Sequence, residues 1–173
     1  RKADLFVVEG IRMYVEIPIE HIMAVYVSES FEENHRDILS ETEYILVADN
    51  VFKTMSDTKT PQGIMAVVKR YGYRLGDILE KENPLLLVLE NLQDPGNLGT
   101  IIRTAEGAGV DGIIMSRDTV DIYNPKVVRS TMGSIFRVPF VYVEDIYETV
   151  DELVNGHIEV YAAHLQGGSF YEE

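Results

Sequence analysis

Short apolar runs alternate with helix-like runs along the first seventy residues. Runs rich in branched residues predict strands at Leu5–Val8, Met23–Val27, Tyr44–Val47 and Gly63–Val68. The intervening segments predict helices at Ile11–Ile17, Phe31–Leu39 and Asp49–Met55. Strands that alternate with helices indicate a sheet covered by helices. We therefore predict a first α/β domain over residues 1–70, followed by a less regular linker over residues 71–83.

The remaining chain, residues 84–173, has the pattern of a doubly wound α/β sheet. Five consecutive apolar residues, Leu85–Leu89, are typical of a strand that is buried on both faces. Further strands are predicted at Gly112–Met115, Phe140–Val143 and Ile158–Ala163. Helices are predicted at Asn97–Ala108, from Asn124-Pro125 onward, and at Ile146–Asn155. The pattern stops on a bare strand with no closing helix, so we expect an incomplete domain.

Composition narrows the class of protein. The formal net charge is −14, which by itself argues against a nucleic-acid partner. Few cations occur after residue 84, and most of them fall in the two motifs described next. There is no cysteine, no visible cluster of metal ligands, and no apolar run long enough to span a membrane. We expect a cytosolic protein without a metal site.

Polar residues crowd the first motif, Asn91 to Gly109, at the carboxyl end of the strand Leu85–Leu89, where open α/β sheets bind ligands. Within it, Arg103 lies one helical turn from Gly99 and from Gly107. Glycine inside a helix costs roughly 1 kcal/mol relative to alanine, so we expect something to approach this face closely. The residues alone leave two alternatives open, a ligand or a tightly packed strand. The glycine spacing does not fit a dinucleotide-binding loop.

A second motif runs from Asn124 to Pro139 and combines small residues with cations. Thr131, Gly133 and Ser134 leave room for a ligand or a tight chain crossing, and Arg129 and Arg137 offer charge to an anion. A helix that simply ends on a glycine cap is the alternative interpretation.

Together the two motifs resemble those of the SpoU/TrmH RNA ribose methyltransferases. The first matches the pattern Asn-x-x-Asp-x-x-Asn-x-Gly-x-x-x-Arg, and the second matches in Thr131, Gly133, Ser134 and Pro139. The resemblance implies that Asn97 and Arg103 form the catalytic pair. It also implies an S-adenosylmethionine site at Thr131, Gly133, Ala163, His164 and Leu165. Ala163 stands where the family often has threonine, so a hydroxyl contact is lost there.

The first domain resembles the family's substrate-binding domain, which is similar to ribosomal RNA-binding proteins. The segments that carry this resemblance are Leu5–Gly10, with an arginine in the following helix, and Thr58–Gly63. It implies an RNA partner, with contacts that we predict at Asn91, Arg129, Arg137 and Lys59. It favours ribosomal over transfer RNA, and it implies an α/β-knot (SPOUT) fold and a homodimer. The family's third motif is absent here, so we expect a truncated, cleaved or partly ordered form of a longer protein.

The implied reaction is methyl transfer from S-adenosylmethionine to a ribose 2′-hydroxyl. Arg103 is the residue that the family proposes as activator, but an arginine with a pKa above about 12 is a poor general base. An electrostatic role, holding a phosphate and stabilising a developing alkoxide, is the alternative. Two other functions stay open: an RNA-binding protein without catalysis, and a small-molecule α/β enzyme that uses the start of the Asn97 helix as an anion site.

Overall fold

The computed structural model describes residues 4–39 and 42–163, which form two sheets with helices on their faces. The front half contains β1 (Leu5–Glu9), α1 (Ile11–Tyr14), β2 (Ile22–Ser28), α2 (Glu29–Asn34), β3 (Ile45–Val47), α3 (Asp49–Met55) and β4 (Ile64–Lys69). The rest contains α4 (Leu75–Leu79), β5 (Leu86–Leu89), α5 (Pro95–Gly107), β6 (Gly112–Ser116), α6 (Pro125–Thr131), β7 (Phe140–Val143) and α7 (Ile146–Asn155).

The front sheet has the strand order β1-β4-β2-β3. Strand β4 pairs antiparallel with both β1 and β2, and β3 is parallel to β2. In β1, Phe6 and Val8 are buried while Leu5 and Val7 are exposed. This alternation is the expected result of a strand with one face on the core.

Two of the front helices are shorter than the sequence pattern predicts. The predicted helix Ile11–Ile17 ends at Tyr14, because the chain tightens into 3₁₀-type turns ahead of Pro18, with Glu16 N–H bonded to Met13 C=O. The predicted helix Phe31–Leu39 starts earlier, where the Ser28 hydroxyl caps it by accepting from the Phe31 N–H at 3.3 Å. It ends at Asn34, and the ring of the next residue, His35, stacks on Phe31.

The rear sheet is parallel, in the order β5-β6-β7. Its central strand β6 is buried on both faces, because its side chains point alternately into two apolar clusters. Ile113 and Met115 pack with α5, α6 and the front sheet. Ile114 packs with α4 and α7 on the other face. A parallel sheet covered on both faces is the usual product of strand–helix–strand units.

One strand prediction for the rear sheet is wrong, and the burial predicted for another is wrong. Ile158–Ala163 forms no strand, and apart from Ile158, which packs on the α7 cluster, these residues are exposed. An extended segment needs a neighbouring ladder, and none of the described residues pairs with it. Strand β5, predicted to be buried on both faces, has all four side chains partly exposed. Within the described residues it pairs only with β6 and lies at the sheet edge.

The two sheets share one apolar core, which fixes the front half against the rear half. The Phe6 ring of β1 lies 4.7 Å from the Tyr123 ring and 6.4 Å from the Phe136 ring. Residues 71–83, predicted as a linker, contain α4 and place Tyr71 and Tyr73 against this core. The front and rear halves therefore both contribute residues to the surface along the seam, the line where they meet.

Candidate active site

The loop before α5 is anchored at the carboxyl ends of β5 and β6. The Asp94 side chain caps α5 by accepting from the Asn97 N–H at 2.7 Å, and Pro95 occupies the first helical turn. Asn91 adopts a left-handed conformation with φ 49°. Its N–H donates to the Ser116 hydroxyl at 2.8 Å, and its side-chain oxygen accepts from the Gln93 amide. These bonds hold the polar loop at the carboxyl ends of the parallel strands, where the sequence predicted it.

Asn97 and Arg103 both lie on α5 with exposed side chains. A helix rises about 1.5 Å per residue, so six residues separate them by about 9 Å along the axis and roughly 120° around it. The structure therefore does not bring the two together within one chain. Among the described residues, Arg103 makes no hydrogen bond and no salt bridge. Its guanidinium keeps all its donors for a ligand.

The two glycines beside Arg103 have different environments. A Cβ on Gly99 would lie 2.2 Å from the Ser130 Cβ of α6, so the close approach there is helix-to-helix packing. This outcome corresponds to the packing alternative, although the partner is a helix rather than a strand. A Cβ on Gly107 would meet none of the described residues within 4 Å, so this chain supplies no close packing there and an approaching ligand stays a prediction. Because Arg103 follows Gly99 by one turn, it lies on the side of α5 that faces the end of α6.

The second motif ends α6 and turns back toward the front half. Asn124 caps α6 by accepting from the Lys126 N–H at 2.9 Å, as predicted. Thr131 is fully buried, and its hydroxyl donates to the Val128 carbonyl at 2.7 Å. Gly133 has φ 99°, and a Cβ there would lie 3.0 Å from Glu16 Cγ. Because Gly133 has no side chain, the chain can turn tightly there and pack against the segment that follows α1.

The described residues do not complete a pocket for S-adenosylmethionine. Thr131 has already used its hydroxyl on its own helix, and Gly133 faces Glu16. Ala163 is exposed in irregular backbone, while His164 and Leu165 lie outside the described residues. The cofactor contacts at these five positions therefore stay a prediction.

Arg137 bridges the two halves. Its guanidinium pairs with Glu106 of α5 and, at 2.5 Å, with Glu16. Ser134 donates to the same Glu106 carboxylate at 2.5 Å. The Arg137 hydrogen bond, helped by the Ser134 bond, lowers the pKa of Glu106. We predicted Arg137 as an RNA contact, but in the structure it forms ion pairs with two carboxylates. The sequence spacing did not identify either glutamate as a partner.

A groove of about 290 Å³ crosses the seam between α1, the segment Thr58–Gln62 and α6. Arg12, Arg129 and the acidic Glu9 line it, and Lys59 follows the lining residue Thr58 in the sequence. The Gln62 side chain holds the start of α1 by accepting from the Ile11 N–H at 2.9 Å. Of the predicted RNA contacts, Arg129 lines this groove, and Lys59 is adjacent in sequence to two of its lining residues. Arg12, which lies outside the two motifs, lines it as well.

Some cations have no carboxylate partner within the described part of the chain. Salt bridges among the described residues use Arg36, Arg70, Arg74, Lys81, Arg117 and Arg137. The described cations outside those pairs are Arg12, Lys53, Lys59, Lys69, Arg103, Lys126 and Arg129. Two of the unpaired cations, Arg12 and Arg129, line the groove, and Arg103 is exposed on α5. An acidic protein thereby keeps some positive charge without a carboxylate partner in the described part of the chain.

Two family models match the chain. Residues 84–173 match that of the SpoU rRNA Methylase family. Residues 1–66 match that of the MRM3-like substrate binding domain. The chain therefore belongs to the SpoU rRNA methylase family. Its mixed α/β architecture is that of SpoU/TrmH methyltransferases of the SPOUT class. Within residues 4–39 and 42–163, no helix is long and apolar enough to cross a membrane.

Curated relatives and solved structures agree with this placement. The chain is 35% identical over 137 residues to the 23S rRNA (guanosine(2553)-2′-O)-methyltransferase RlmP of Bacillus subtilis, covering 79% of this chain and 53% of that protein. It is 38% identical over 131 residues to the mitochondrial rRNA methyltransferase 3 of Homo sapiens, covering 73% of this chain and 31% of that protein. The chain thus spans about half, or less, of these relatives' length.

Two solved structures illustrate the fold match. A putative RNA methyltransferase of the TrmH family from Porphyromonas gingivalis superposes with a TM-score of 0.81 at 29% identity, over 98% of this chain and 66% of that one. The SpoU methyltransferase AviRb from Streptomyces viridochromogenes, in complex with AdoMet, superposes with a TM-score of 0.75 at 27% identity. That match covers 90% of this chain and 62% of the AviRb chain.

Proposed function

We propose that the protein to which this chain belongs methylates a ribose 2′-hydroxyl of ribosomal RNA, with S-adenosylmethionine as the methyl donor. The observation that carries the proposal is the exposed Arg103, unpaired among the described residues, together with a groove that two further unpaired cations, Arg12 and Arg129, line. Relatives named as 23S rRNA and mitochondrial rRNA methyltransferases support ribosomal RNA over transfer RNA. The AdoMet-bound neighbour supports the cofactor.

Arg103 is proposed to act electrostatically. A guanidinium stays charged at any working pH, so it donates hydrogen bonds rather than accepting a proton. It can hold the phosphate next to the target ribose and stabilise negative charge that develops on the 2′-oxygen. Asn97, about 9 Å away along the same helix, is proposed to orient a different part of the substrate. The bound cofactor supplies an electrophilic methyl group on its sulfonium.

The groove at the seam is proposed as the track for the RNA backbone. Arg12 comes from the front half and Arg129 from α6, so a phosphate between them would contact both halves. Each neutralised phosphate adds about 0.7 to the slope of log affinity against log salt for a single strand. The double variant Arg12→Ala/Arg129→Ala should therefore bind a ribosomal RNA fragment more weakly and with a slope smaller by about 1.4.

A matched control has the same loss of charge. Arg36 and Arg74 are exposed and already paired, with Glu32 and Asp77 respectively. The variant Arg36→Ala/Arg74→Ala should keep the salt slope of the unmodified protein. If both double variants lost affinity equally, binding would follow net charge alone, and the assignment of the groove would be wrong.

RNA binding without catalysis is the second candidate. It is favoured by the buried, internally bonded hydroxyl of Thr131 and by the exposed position of Ala163. Calorimetric titration of S-adenosylmethionine into this chain and into the protein at its natural length separates the two candidates. Binding by the natural-length protein supports the methyltransferase. If neither form binds, RNA binding without catalysis replaces it as the leading function.

We further propose that the protein acts as a homodimer with an α/β knot, because the family resemblance implies both. The separation of Asn97 from Arg103 is compatible with a site that draws these residues from two chains. Light scattering of the natural-length protein should give twice the chain mass; a monomer that transfers methyl groups at full rate would contradict this proposal. A cytoplasmic location, as in a bacterial ribosome-modifying enzyme, is proposed on the same resemblance.

A further inference from the structure

An aromatic cavity of about 440 Å³ lies at the seam beside the edge strand β7. It is bordered by the segment Arg70–Tyr73, by the loop after β6 and by β7 itself. Five aromatic side chains contribute to its wall: Tyr71, Tyr73, Tyr123, Phe140 and Tyr142. Its volume falls within the range of about 300–1,000 Å³ that is usual for small-ligand sites. Neither the catalytic nor the cofactor role proposed above uses these residues.

Two of the five rings, Tyr123 and Tyr142, are held in place by their own hydroxyl groups. Tyr123 Oη accepts from the Tyr71 N–H at 2.7 Å and donates to the Tyr71 carbonyl at 3.3 Å. Tyr142 Oη accepts from the Ile122 N–H at 2.8 Å and donates to the Val120 carbonyl at 2.7 Å. Because both side chains are fixed before a ligand arrives, stacking on them costs little conformational entropy.

Ring packing shapes the wall of the cavity: the Tyr71 ring stacks on His21 with centroids 4.3 Å apart, while 38% of Tyr142 stays exposed. The Tyr71 and Tyr73 rings are nearly parallel, with centroids 5.6 Å apart and an interplanar angle of 4°. The Tyr73 and Tyr123 rings each meet Phe140 edge-on. A planar heterocycle is the ligand shape that such surfaces accept, because offset stacking and edge contacts both favour flat rings.

The rim of the cavity carries charges of both signs. The Arg70 guanidinium lies 4.4 Å from the Tyr123 ring centroid and 3.8 Å from the Asp121 carboxylate. Asp4 and Arg117 also border the cavity, and Arg117 pairs with Glu144. Balanced charge does not favour an anion over a neutral molecule. It suits a ring whose edge presents both donors and acceptors, which describes a nucleobase.

The cavity shares a wall with the candidate active site. The Val120 N–H donates to the Leu92 carbonyl at 2.9 Å, and the Thr119 hydroxyl accepts from the Leu92 N–H at 3.4 Å. Thr119 also lines the cavity, while Leu92 follows Asn91 in the loop before α5. A base in the cavity would thus lie one loop away from the ribose presented to Asn91 and Asn97.

We propose that this cavity holds an unstacked nucleobase of the RNA substrate, close in sequence to the methylated nucleotide. The proposal rests on the function proposed above and adds a recognition site to it. Base-on-aromatic stacking supplies affinity, and the charged rim reads the edge of the base. A free nucleotide has the same chemistry, so the test must separate the two sources.

Glycine substitutions give a test that leaves the fold intact. A Cβ on Gly72, which lines the cavity, and a Cβ on Gly76 of α4, which does not, would each meet nothing within 4 Å. Gly72→Leu places an aliphatic side chain at the cavity, and Gly76→Leu is the matched control. Both variants should melt at or above the temperature of the unmodified protein.

Affinity for a single-stranded ribosomal RNA fragment is measured first, by fluorescence anisotropy. Loss of one stacked base weakens binding by about tenfold, so Gly72→Leu should show about that loss and Gly76→Leu none. Equal affinity of Gly72→Leu and the unmodified protein would overturn the proposal while leaving the methyltransferase assignment standing. No RNA binding by the unmodified protein would instead overturn the proposed function on which it rests.

Competition identifies the group that is bound. Guanosine, adenosine, cytidine and uridine monophosphates are compared with ribose 5-phosphate, which has the phosphate but no base. Displacement of the RNA fragment by a nucleotide, but not by ribose 5-phosphate, supports a base site. Equal displacement by ribose 5-phosphate means an anion site and overturns it. If Gly72→Leu loses only the free nucleotides and keeps its RNA affinity, the ligand is a free nucleotide and the RNA proposal is wrong.

Discussion

Gly99 is a point of close contact between α5 and α6, so it is a place to test the packing of the two motifs. A Cβ at this position would lie 2.2 Å from Ser130 Cβ, 2.9 Å from the Ser130 carbonyl carbon and 3.1 Å from its Cα. Two of these atoms are backbone atoms, which cannot rotate out of the way. Gly99→Ala therefore requires the helices themselves to move apart.

Two opposing effects set the size of the change. Alanine is favoured over glycine inside a helix by about 1 kcal/mol. Overpacking a tight contact costs about 1–3 kcal/mol, and the upper end applies where backbone must shift. The net loss in the free energy of unfolding is therefore about 2 kcal/mol. For a chain of this size 1 kcal/mol corresponds to about 2–4 °C, so the melting temperature should fall by about 4–8 °C.

Gly107→Ala is the control, because Gly107 ends the same helix and its Cβ would meet nothing within 4 Å. Propensity alone acts there, so the variant should gain about 0.5 kcal/mol. Urea unfolding followed by circular dichroism measures both variants. A Gly99→Ala variant as stable as Gly107→Ala would refute the close contact between the helices, and with it the placement of Arg103 beside α6.

Other variants test the seam and the buried tyrosines. Arg137→Ala removes the ion pairs with Glu106 and Glu16 and should lower the free energy of unfolding by about 1 kcal/mol. A change smaller than the error of the urea titration would mean that these ion pairs do not stabilise the protein. The pKa of Glu106 is lowered from 4.5 mainly by Arg137, so this stabilisation is complete above that value and is lost as pH falls through the lowered pKa. Urea titrations of both proteins down the pH scale should converge in acid, and a constant gap would be inconsistent with this. Tyr71 Oη is buried without a hydrogen-bond partner among the described residues, so Tyr71→Phe should stabilise the protein by about 1 kcal/mol. Tyr14→Phe, which breaks the 2.8 Å bond to Thr42, should destabilise it, and equal effects of the two variants would count against an unpartnered Tyr71 hydroxyl.

Local signals in the sequence predicted most elements of the structure. Helices Asp49–Met55 and Ile146–Asn155 have their predicted bounds, and the cap Asn124-Pro125 begins α6 as expected. These segments carry their own start signals, so little tertiary information was needed. The helix predicted over Ile11–Ile17 failed because turn geometry near Pro18 ended it early. Strand Ile158–Ala163 failed because a strand depends on a partner that its own residues do not specify.

The candidate site was only partly predictable for the same reason. The loop Asn91–Asn97 could be placed at a sheet edge, since it directly follows a strand pattern. The pairing of Arg137 with Glu16 joins residues far apart in the chain, and no spacing rule connects them. Arg12 and Arg129 meet at one groove only because the two halves pack through a common core. The net charge of −14 alone argued against a nucleic-acid partner, because it does not show that Arg12 and Arg129 lie at the same groove.

The central claim is that Arg103 supports methyl transfer to a ribose 2′-oxygen. The most direct measurement incubates the natural-length protein with S-adenosylmethionine and unmethylated ribosomal RNA, then identifies the methylated nucleoside by mass spectrometry. We expect a 2′-O-methylated nucleoside, and we expect none from Arg103→Ala at an unchanged melting temperature, while the paired cation variant Arg36→Ala keeps full turnover. A methyl group on a base, or normal turnover by Arg103→Ala, would contradict the account.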